Sequence, residues 1–377
     1  MTKPILLVKP EDIKPSFPKW EVVGVLNPAA IRLPNNKIVL YARVAESAVH
    51  EHEGQKMCPY ISGKGKTHNL LVDKSEIATE VEEYMFLKEG ICLMTHISHL
   101  RKITLDETGT KVEKIASVPS FTGNKTEGNF GVEDPRIVKI NKTYFMTYVT
   151  VSEDTGICGS LATSPDATKW QRKGIIFCKQ NKNVVLFPEK IGGRYVALHR
   201  PEGSLNFSDP SIWISYSPDL KYWGEETSII HPRKESWDEA RIGAGPPPIK
   251  TAKGWLLIHH GIKKEKDKKV YSAGAVLLDL KSPEKVIARS PKNKPLFGPE
   301  EDFEKNGFVN QVAFPTGMVP DLDGKSVLIF SGGADRVITM RKITIEDILN
   351  SLEYHAPKEE KIESKTPTSK NNKRLKT

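Results

Sequence analysis

No apolar run in this 377-residue chain approaches the roughly 18 residues of a transmembrane helix, so no membrane span is expected. The apolar stretch at the N-terminus, Ile5-Leu-Leu-Val, is too short for a secretory h-region, which predicts a cytoplasmic protein. Cysteine is scarce. Cys58, Cys92, Cys158 and Cys178 are scattered, with no CxxC and no histidine at zinc spacing. That excludes a disulfide scaffold or a Cys/His metal module and predicts reduced, mostly buried thiols. No metal and no organic cofactor is called for. Long stretches with a 3.6-residue apolar period are nearly absent, which excludes a helical bundle. The exceptions are a short candidate helix near Lys74–Phe86 and a second over Ile343–Leu352, where Thr344 is followed three residues on by Asp347. A basic stripe with interleaved aromatics is also missing, so nucleic acid is not an expected partner despite a net charge of +9.

What is present describes a globular protein. A hydrophobic content of 38% and a charged content of 27% are ordinary for a soluble domain with a large core. Part of the positive charge is local. Residues Pro357 to Thr377 hold seven Lys/Arg against three Glu and almost no large apolar side chain, which predicts a disordered basic tail after a folded domain over residues 1–356. The remaining excess suits cations gathered around a small anionic substrate.

Short apolar and β-branched runs bounded by turn residues fill the rest of the chain, so the fold class is all-β. Five of them repeat: Asn36–Arg43, Asn141–Tyr148, Gly193–Arg200, Gly254–Gly261 and Gly324–Ser331. Each is a turn, a mostly apolar strand and a polar end. Ser164-Pro-Asp and Ser217-Pro-Asp turns recur beside two of them. Five units predict a five-bladed β-propeller, with residues 45–125 as an insertion on the first blade. The polar strand ends Arg43, Tyr148, Arg200 and His260, with the Asp335 region, would then meet at one mouth.

Gly131-Val-Glu-Asp-Pro-Arg136 puts two adjacent carboxylates and a guanidinium just ahead of a strand. Pro135 keeps Asp134 out of a helical conformation, in an extended or turn geometry. Taken alone the motif is equally well an ion pair closing a turn. Downstream stand Lys182, with Lys179 as a competitor, then Arg200, Arg241 at the head of Arg-Ile-Gly-Ala-Gly-Pro-Pro-Pro248, and His260. Singly, each has an ordinary structural explanation. As a set, one carboxylic acid with several cations suits attack by inorganic phosphate on a glycosidic bond. Phosphate is already an anionic nucleophile and needs donors to hold it in line, rather than a strong base. Hydrolysis needs a second carboxylate to activate water. Glu189 and Glu239 are the candidates in the sequence.

These residues resemble glycoside hydrolase family 130, the β-mannoside phosphorylases and related β-mannosidases. The motifs that carry the resemblance are Asn27-Pro-Ala-Ala, Tyr41-Ala-Arg43, Gly131–Arg136, Leu186–Lys190, Arg241–Pro248, His260-Gly and Gly333-Ala-Asp335, spread over about Val22 to Ile348. The resemblance implies a five-bladed propeller with Asp134 as catalytic acid, acting through a hydroxyl of the bound mannosyl unit. It implies that Asn27, Arg43 and Asp335 hold the mannose, and that Lys182, Arg200, Arg241 and His260 hold phosphate. Lysine stands at 182 where arginine is common, and arginine at 241 where lysine is common. The activity implied is inverting phosphorolysis of a β-1,2- or β-1,4-mannoside to α-mannose 1-phosphate, with inorganic phosphate as co-substrate and no cofactor. A β-mannosidase or a sugar-binding propeller without activity are the alternatives, and a homo-oligomer is left open. His96, His99 and Arg101 are packing residues of the insertion or contacts to the acceptor sugar.

Overall fold

A computed structural model describes residues 1–49, 53–62, 65–81, 83–203, 207–265 and 268–355. The expected disordered tail, 357–377, lies outside the described residues. The described chain is nearly all β-strand, with short helices only, and none is long and apolar enough to cross a membrane.

Five antiparallel sheets dominate. The first holds Trp20–Arg32, Ile38–Ala48, Ile97–Leu105 and Val112–Ile115. The second holds Val132–Ile140, Thr143–Ser152, Gly156–Ser164 and Gln171–Phe177, and the third Asn181–Leu186, Tyr195–Pro201, Ile212–Ser217 and Gly224–Ile230. The fourth runs from Arg241–Ala244 through Gly254–Glu265, Lys268–Leu278 and Val286–Arg289 to Glu353–Tyr354. The fifth combines Ala313–Pro320, Ser326–Gly333 and Val337–Thr344 with the N-terminal strand Ile5–Val8.

Both faces of these sheets are covered, which is why their strands read as apolar runs rather than simple alternation. Successive side chains on a strand point to opposite faces. Trp255 and Leu257 therefore enter the core shared with the third sheet, while Leu256 and Ile258 enter the core shared with the fifth. Likewise Val39 and Tyr41 face the second sheet, and Ile38 and Leu40 face the fifth. Val184 joins the cluster between the second and third sheets. Each consecutive pair of sheets thus shares one apolar cluster, and so do the fifth and first. Fully burying a Leu or Phe side chain is worth about 1.5–3 kcal/mol, so these five clusters hold the assembly together.

The five repeated segments are the second strands of the five sheets. Two expectations change. Residues 45–125 are not one insertion: Ile97–Leu105 and Val112–Ile115 belong to the first sheet itself. The inserted part between its second and third strands forms two small sheets, Gln55–Ile61 with Thr67–Asp73, and Ile77–Glu80, Tyr84–Leu87 and Cys92–Met94. The candidate helix near Lys74–Phe86 is absent. Asp73 accepts a bond from Ser75 N at 2.8 Å and closes a single 3-10 turn over Lys74–Glu76, after which alternating Ile77 and Thr79 continue as strand. The C-terminal helix forms over Ile345–Asn350, with Asp347 N donating to Thr344 Oγ1 at 3.0 Å. Of the four reduced cysteines, Cys58 and Cys158 are buried and Cys92 and Cys178 exposed.

Candidate active site

Bulges in the first strands of the sheets aim the site's side chains. The register slips between Leu26 and Ala29, between Glu133 and Arg136, and between Lys182 and Val185. Asn27, Asp134 and Asn183 sit in these bulges with φ of 45°, 47° and 55°. Asn and Asp tolerate this left-handed conformation better than other residues with a Cβ. Pro135 removes the right-handed helical alternative from Asp134, and the bulge settles it in the left-handed one rather than an extended form. A bulge re-aims one side chain without disturbing the rest of the strand.

One half of the site gathers carboxylates around Arg43. Its NH1 donates to Asp134 Oδ1 at 3.3 Å, its NH2 to Glu133 Oε1 at 2.8 Å and its Nε to Ser98 Oγ at 3.0 Å, with His96 Nε2 3.3 Å from NH2. Asn27 Nδ2 donates to the same Asp134 Oδ1 at 3.0 Å. Both donors use Oδ1, so Oδ2 faces no protein donor among the described residues. Burial alone would raise the Asp134 pKa, but Arg43, Arg136, the Asn27 bond and Lys182 together hold it below the usual carboxylate range. Asp335 and Ala334 both have positive φ, 47° and 46°, just past the second strand of the fifth sheet. Asp335, Arg43, Glu83, His96 and Phe308 line a small cavity of about 20 Å³. Burial, with Glu83, Asp134 and Glu133 adding to it and Arg43 opposing, pushes the Asp335 carboxyl up to about 7.

The other half gathers cations. Lys182 and Arg200 face each other across neighbouring strands, a like-charge pairing that costs stability and that Glu202, bound to Arg200, offsets in part. Arg200 NH1 lies 3.1 Å from His260 Nε2. His260 is buried, and burial, with Arg200 and its other cationic neighbours, keeps its pKa well below the ordinary histidine value. A neutral ring that accepts from Arg200 at Nε2 carries its proton on Nδ1, and that buried Nδ1 has no partner among the described residues. Arg200 Nε and Asn183 Nδ2 are likewise buried donors without a partner among the described residues. Gly243 is opposite His260 in the register, and a Cβ there would overlap Asn183 Nδ2 and approach Arg200 NH1 to 2.9 Å. The three groups therefore close on one another because residue 243 has no side chain. Arg241 is half-exposed, with NH2 3.8 Å from Glu202 Oε2. It lines a cavity of about 800 Å³ together with Glu202 and Tyr271.

Comparison with known proteins gives the family. Residues 94–354 match the glycoside hydrolase family 130 model, described as β-1,4-mannooligosaccharide phosphorylase. The chain belongs to glycoside hydrolase family 130. It is 36% identical over 351 residues to a 1,2-β-oligomannan phosphorylase of Thermoanaerobacter sp., covering 92% of this chain and 96% of that protein. It is 34% identical over 359 residues to the β-1,2-mannobiose phosphorylase of Listeria innocua, covering 93% and 97%. The crystal structure of a Listeria innocua β-1,2-mannobiose phosphorylase with β-1,2-mannobiose superposes with a TM-score of 0.84 at 32% identity, over 92% of this chain and 96% of that one.

In this family 130 chain the two halves meet at Arg136. Its Nε donates to Gly245 O at 2.7 Å and its NH1 to Asp134 O at 2.8 Å, tying the Asp134 bulge to the Gly-Ala-Gly-Pro-Pro-Pro loop. The ion pair that the hexapeptide suggested is formed instead by Arg43, from the neighbouring sheet. The eight residues that the resemblance assigns to catalysis, mannose and phosphate fall in these two halves: Asn27, Arg43, Asp134 and Asp335 in one, and Lys182, Arg200, Arg241 and His260 in the other. Lys182 acts on both Asp134 and Glu202, while its competitor Lys179 lines the 800 Å³ cavity with Glu202 and Arg241.

Tyr148 does not join them, because its hydroxyl turns to Glu127 and Arg172. Glu189 pairs with Lys250 at 2.6 Å, and Glu239 forms no ion pair with Lys182, Arg200 or Arg241 among the described residues. His99 and Arg101 are buried packing residues bound up with Glu46 and Ser16. Sequence reasoning missed Glu202, Asn183 and Tyr271. A Glu two residues past Arg200 and an Asn next to Lys182 were the available signals, and Tyr271 gave none. Among the described residues no group of three or more His, Cys, Asp or Glu is placed to hold a metal ion.

Proposed function

We propose that this protein is an inverting β-mannoside phosphorylase that uses inorganic phosphate to release α-mannose 1-phosphate and a shortened sugar. The observation that carries the reading is the charge partition of the site. Asp134 stands between a carboxylate-lined half suited to sugar hydroxyls and a cluster of cations and orphaned buried donors suited to a dianion. In this reading Asn27, Arg43 and Asp335 hold the donor mannose, and Lys182, Arg200, Arg241 and His260 hold phosphate in line with the anomeric carbon. Asp134 supplies the proton, through a hydroxyl of the mannosyl unit, to the departing oxygen. The five sheets with a shared core between each neighbouring pair are then the blades of a five-bladed β-propeller over residues 1–356, followed by the basic tail.

The charge of Asp134 sets an order of events. In the free site its carboxyl is held ionised by Arg43, Arg136 and Lys182. A phosphate dianion beside Lys182 cancels part of that field and raises the carboxyl's affinity for a proton. The acid is therefore easier to load when the nucleophile is in place. Hydrolysis is disfavoured by the state of the carboxylate bound to Arg200. Glu202 is bound to Arg200 at 2.5 Å and, against its burial, its pKa is depressed by Arg200, Arg241 and Lys182, which makes it a weak base for water.

The relatives that match more than nine-tenths of the chain act on β-1,2-linked mannose, which favours that linkage over β-1,4. The test is incubation with β-1,2- and β-1,4-mannobiose, each with and without phosphate. The expected result is mannose 1-phosphate from the β-1,2 substrate in the presence of phosphate alone. Free mannose released at one rate with or without phosphate would make the protein a hydrolase.

A further inference from the structure

An anion site built only for charge has no use for a carboxylate, yet Glu202 sits inside the cationic cluster. Its Oε1 accepts from Arg200 NH2 at 2.5 Å, and its Oε2 lies 3.8 Å from Arg241 NH2, beyond hydrogen-bond range. An ionised carboxylate offers about four acceptor positions and no donor. Oε2 therefore keeps unused acceptor capacity. The side chain is 18% exposed and lines the 800 Å³ cavity beside Arg241 and Tyr271, so an anion drawn through that cavity to Arg241 arrives next to it.

We propose that Glu202 is a specificity-determining residue of the anion site, accepting the hydrogen bond of a protonated oxyanion so that hydrogen phosphate binds and sulfate is refused. The inference rests on the phosphate reading above. The chemistry is a matter of counting protons. Inorganic phosphate near neutral pH carries a P–OH group that can donate to Oε2 while its other oxygens accept from Arg200, Arg241, Lys182 and His260. Sulfate has the same shape and a double negative charge but no proton. Against Glu202 it sets acceptor on acceptor, with two like charges and no bond between them. The arginines favour both ions, so the discrimination falls to the carboxylate. The neighbouring cations hold Glu202 in its ionised, acceptor-only form. Arsenate, which also keeps a proton near neutral pH, belongs with phosphate.

A residue that merely props Arg200 gives a different result. Losing it weakens phosphate and sulfate alike and leaves their ratio unchanged. The test measures the KM for phosphate and the inhibition constant for sulfate in the full-length wild type, Glu202→Gln and Glu202→Asp. Wild type is expected to bind sulfate far more weakly than phosphate. Glu202→Gln, which can donate from its amide, should narrow that ratio by about ten- to hundredfold, the range of one hydrogen bond to a charged group. Glu202→Asp, which keeps the acceptor, should restore it in part. Thermal shift with each ion alone is the second readout, in which sulfate should stabilise Glu202→Gln and not wild type. A ratio unchanged within twofold in Glu202→Gln, with wild type turning over, overturns this inference and leaves the phosphorylase intact. Wild type with no phosphate-dependent turnover removes the phosphorylase reading and this one with it.

Discussion

Two glycines should separate the two halves of the site by one methyl group each. A Cβ at Gly243 would overlap Asn183 Nδ2, lie 2.5 Å from His260 Cε1 and 2.9 Å from Arg200 NH1. A Cβ at Gly332 would overlap Asn27 Oδ1 and lie 3.2 Å from Asn27 N. Neither glycine has a positive φ, so alanine fits the backbone at both and any effect comes from crowding. Forcing a methyl into a packed site costs about 1–3 kcal/mol. Carried fully into the transition state, that is about a fivefold to 150-fold loss of kcat/KM. Gly243→Ala pushes on the cationic half and should appear mainly as a raised KM for phosphate. Gly332→Ala displaces Asn27 and should raise the KM for the mannoside. Asn27 also bonds Asp134, so kcat should fall in this variant too. Initial rates with both substrates varied, alongside Tm to confirm folding, give the answer. The partition into a sugar half and a phosphate half is wrong if Gly243→Ala leaves the phosphate KM within twofold of wild type. It is equally wrong if folded variants lose affinity for both substrates alike.

Further outcomes follow from single groups. Asp134→Asn should lower kcat by about 10²- to 10⁴-fold with little change in either KM, measured by steady-state mannose 1-phosphate release. Arg241→Ala should raise the KM for phosphate about ten- to hundredfold, the loss of one charge-assisted bond, with mannoside KM nearly unchanged. Binding of inorganic phosphate should draw a proton from solution as Asp134 is relieved of its cationic field, seen by calorimetry in buffers of different ionisation enthalpy; zero uptake between pH 6 and 8 contradicts the proposed order. Asp335 keeps its proton up to about 7 when folded but loses it near 4 when unfolded, so its contribution to stability is full below about pH 4 and gone once the pH has risen through 7. Asp335→Asn, uncharged throughout, should show a smaller fall in Tm from pH 5 to pH 8 than wild type.

How much of this was legible in the sequence depended on whether chemistry or register decided it. The five repeated runs were visible because each is a buried strand flanked by turn residues, and turn chemistry is local. Which strand of each sheet they form was not, since Asn181–Leu186 and Arg241–Ala244 are short and blend into their loops. Asp134 and the four cationic positions stood out by residue type and spacing. The bulges that aim them did not, because a bulge is a slip between two strands and only one is in view along the chain. Glu202 reads in sequence as a solvated residue after Pro201, and becomes a site residue once strand pairing sets Arg200 opposite Lys182. The Lys74–Phe86 segment was misread because its charged residues fit a helical face as well as an exposed hairpin. Tertiary pairing of Ile77–Glu80 with Tyr84–Leu87 settled it.

The arrangement of charge explains why one fold can offer both a sugar pocket and an anion pocket a few residues apart. Sugar hydroxyls donate as well as accept, and a wall of carboxylates satisfies them without attracting a competing anion. Arg43 keeps that wall from repelling itself apart, and the raised pKa of Asp335 lowers its charge near neutral pH. The opposite wall has the reverse problem, three cationic side chains and a histidine in a space where burial lowers the pKa of Arg200. There Glu202 lies among the cations as Arg43 lies among the carboxylates, one counter-charge in each half. Arg136, in contact with both the Asp134 bulge and the Gly245 loop, fixes the two halves at one separation. In the proposed reading a mannoside on one side and phosphate on the other meet at Asp134, whose proton affinity rises when the second arrives. The carboxylate held ionised in the empty site thereby becomes the acid of the filled one.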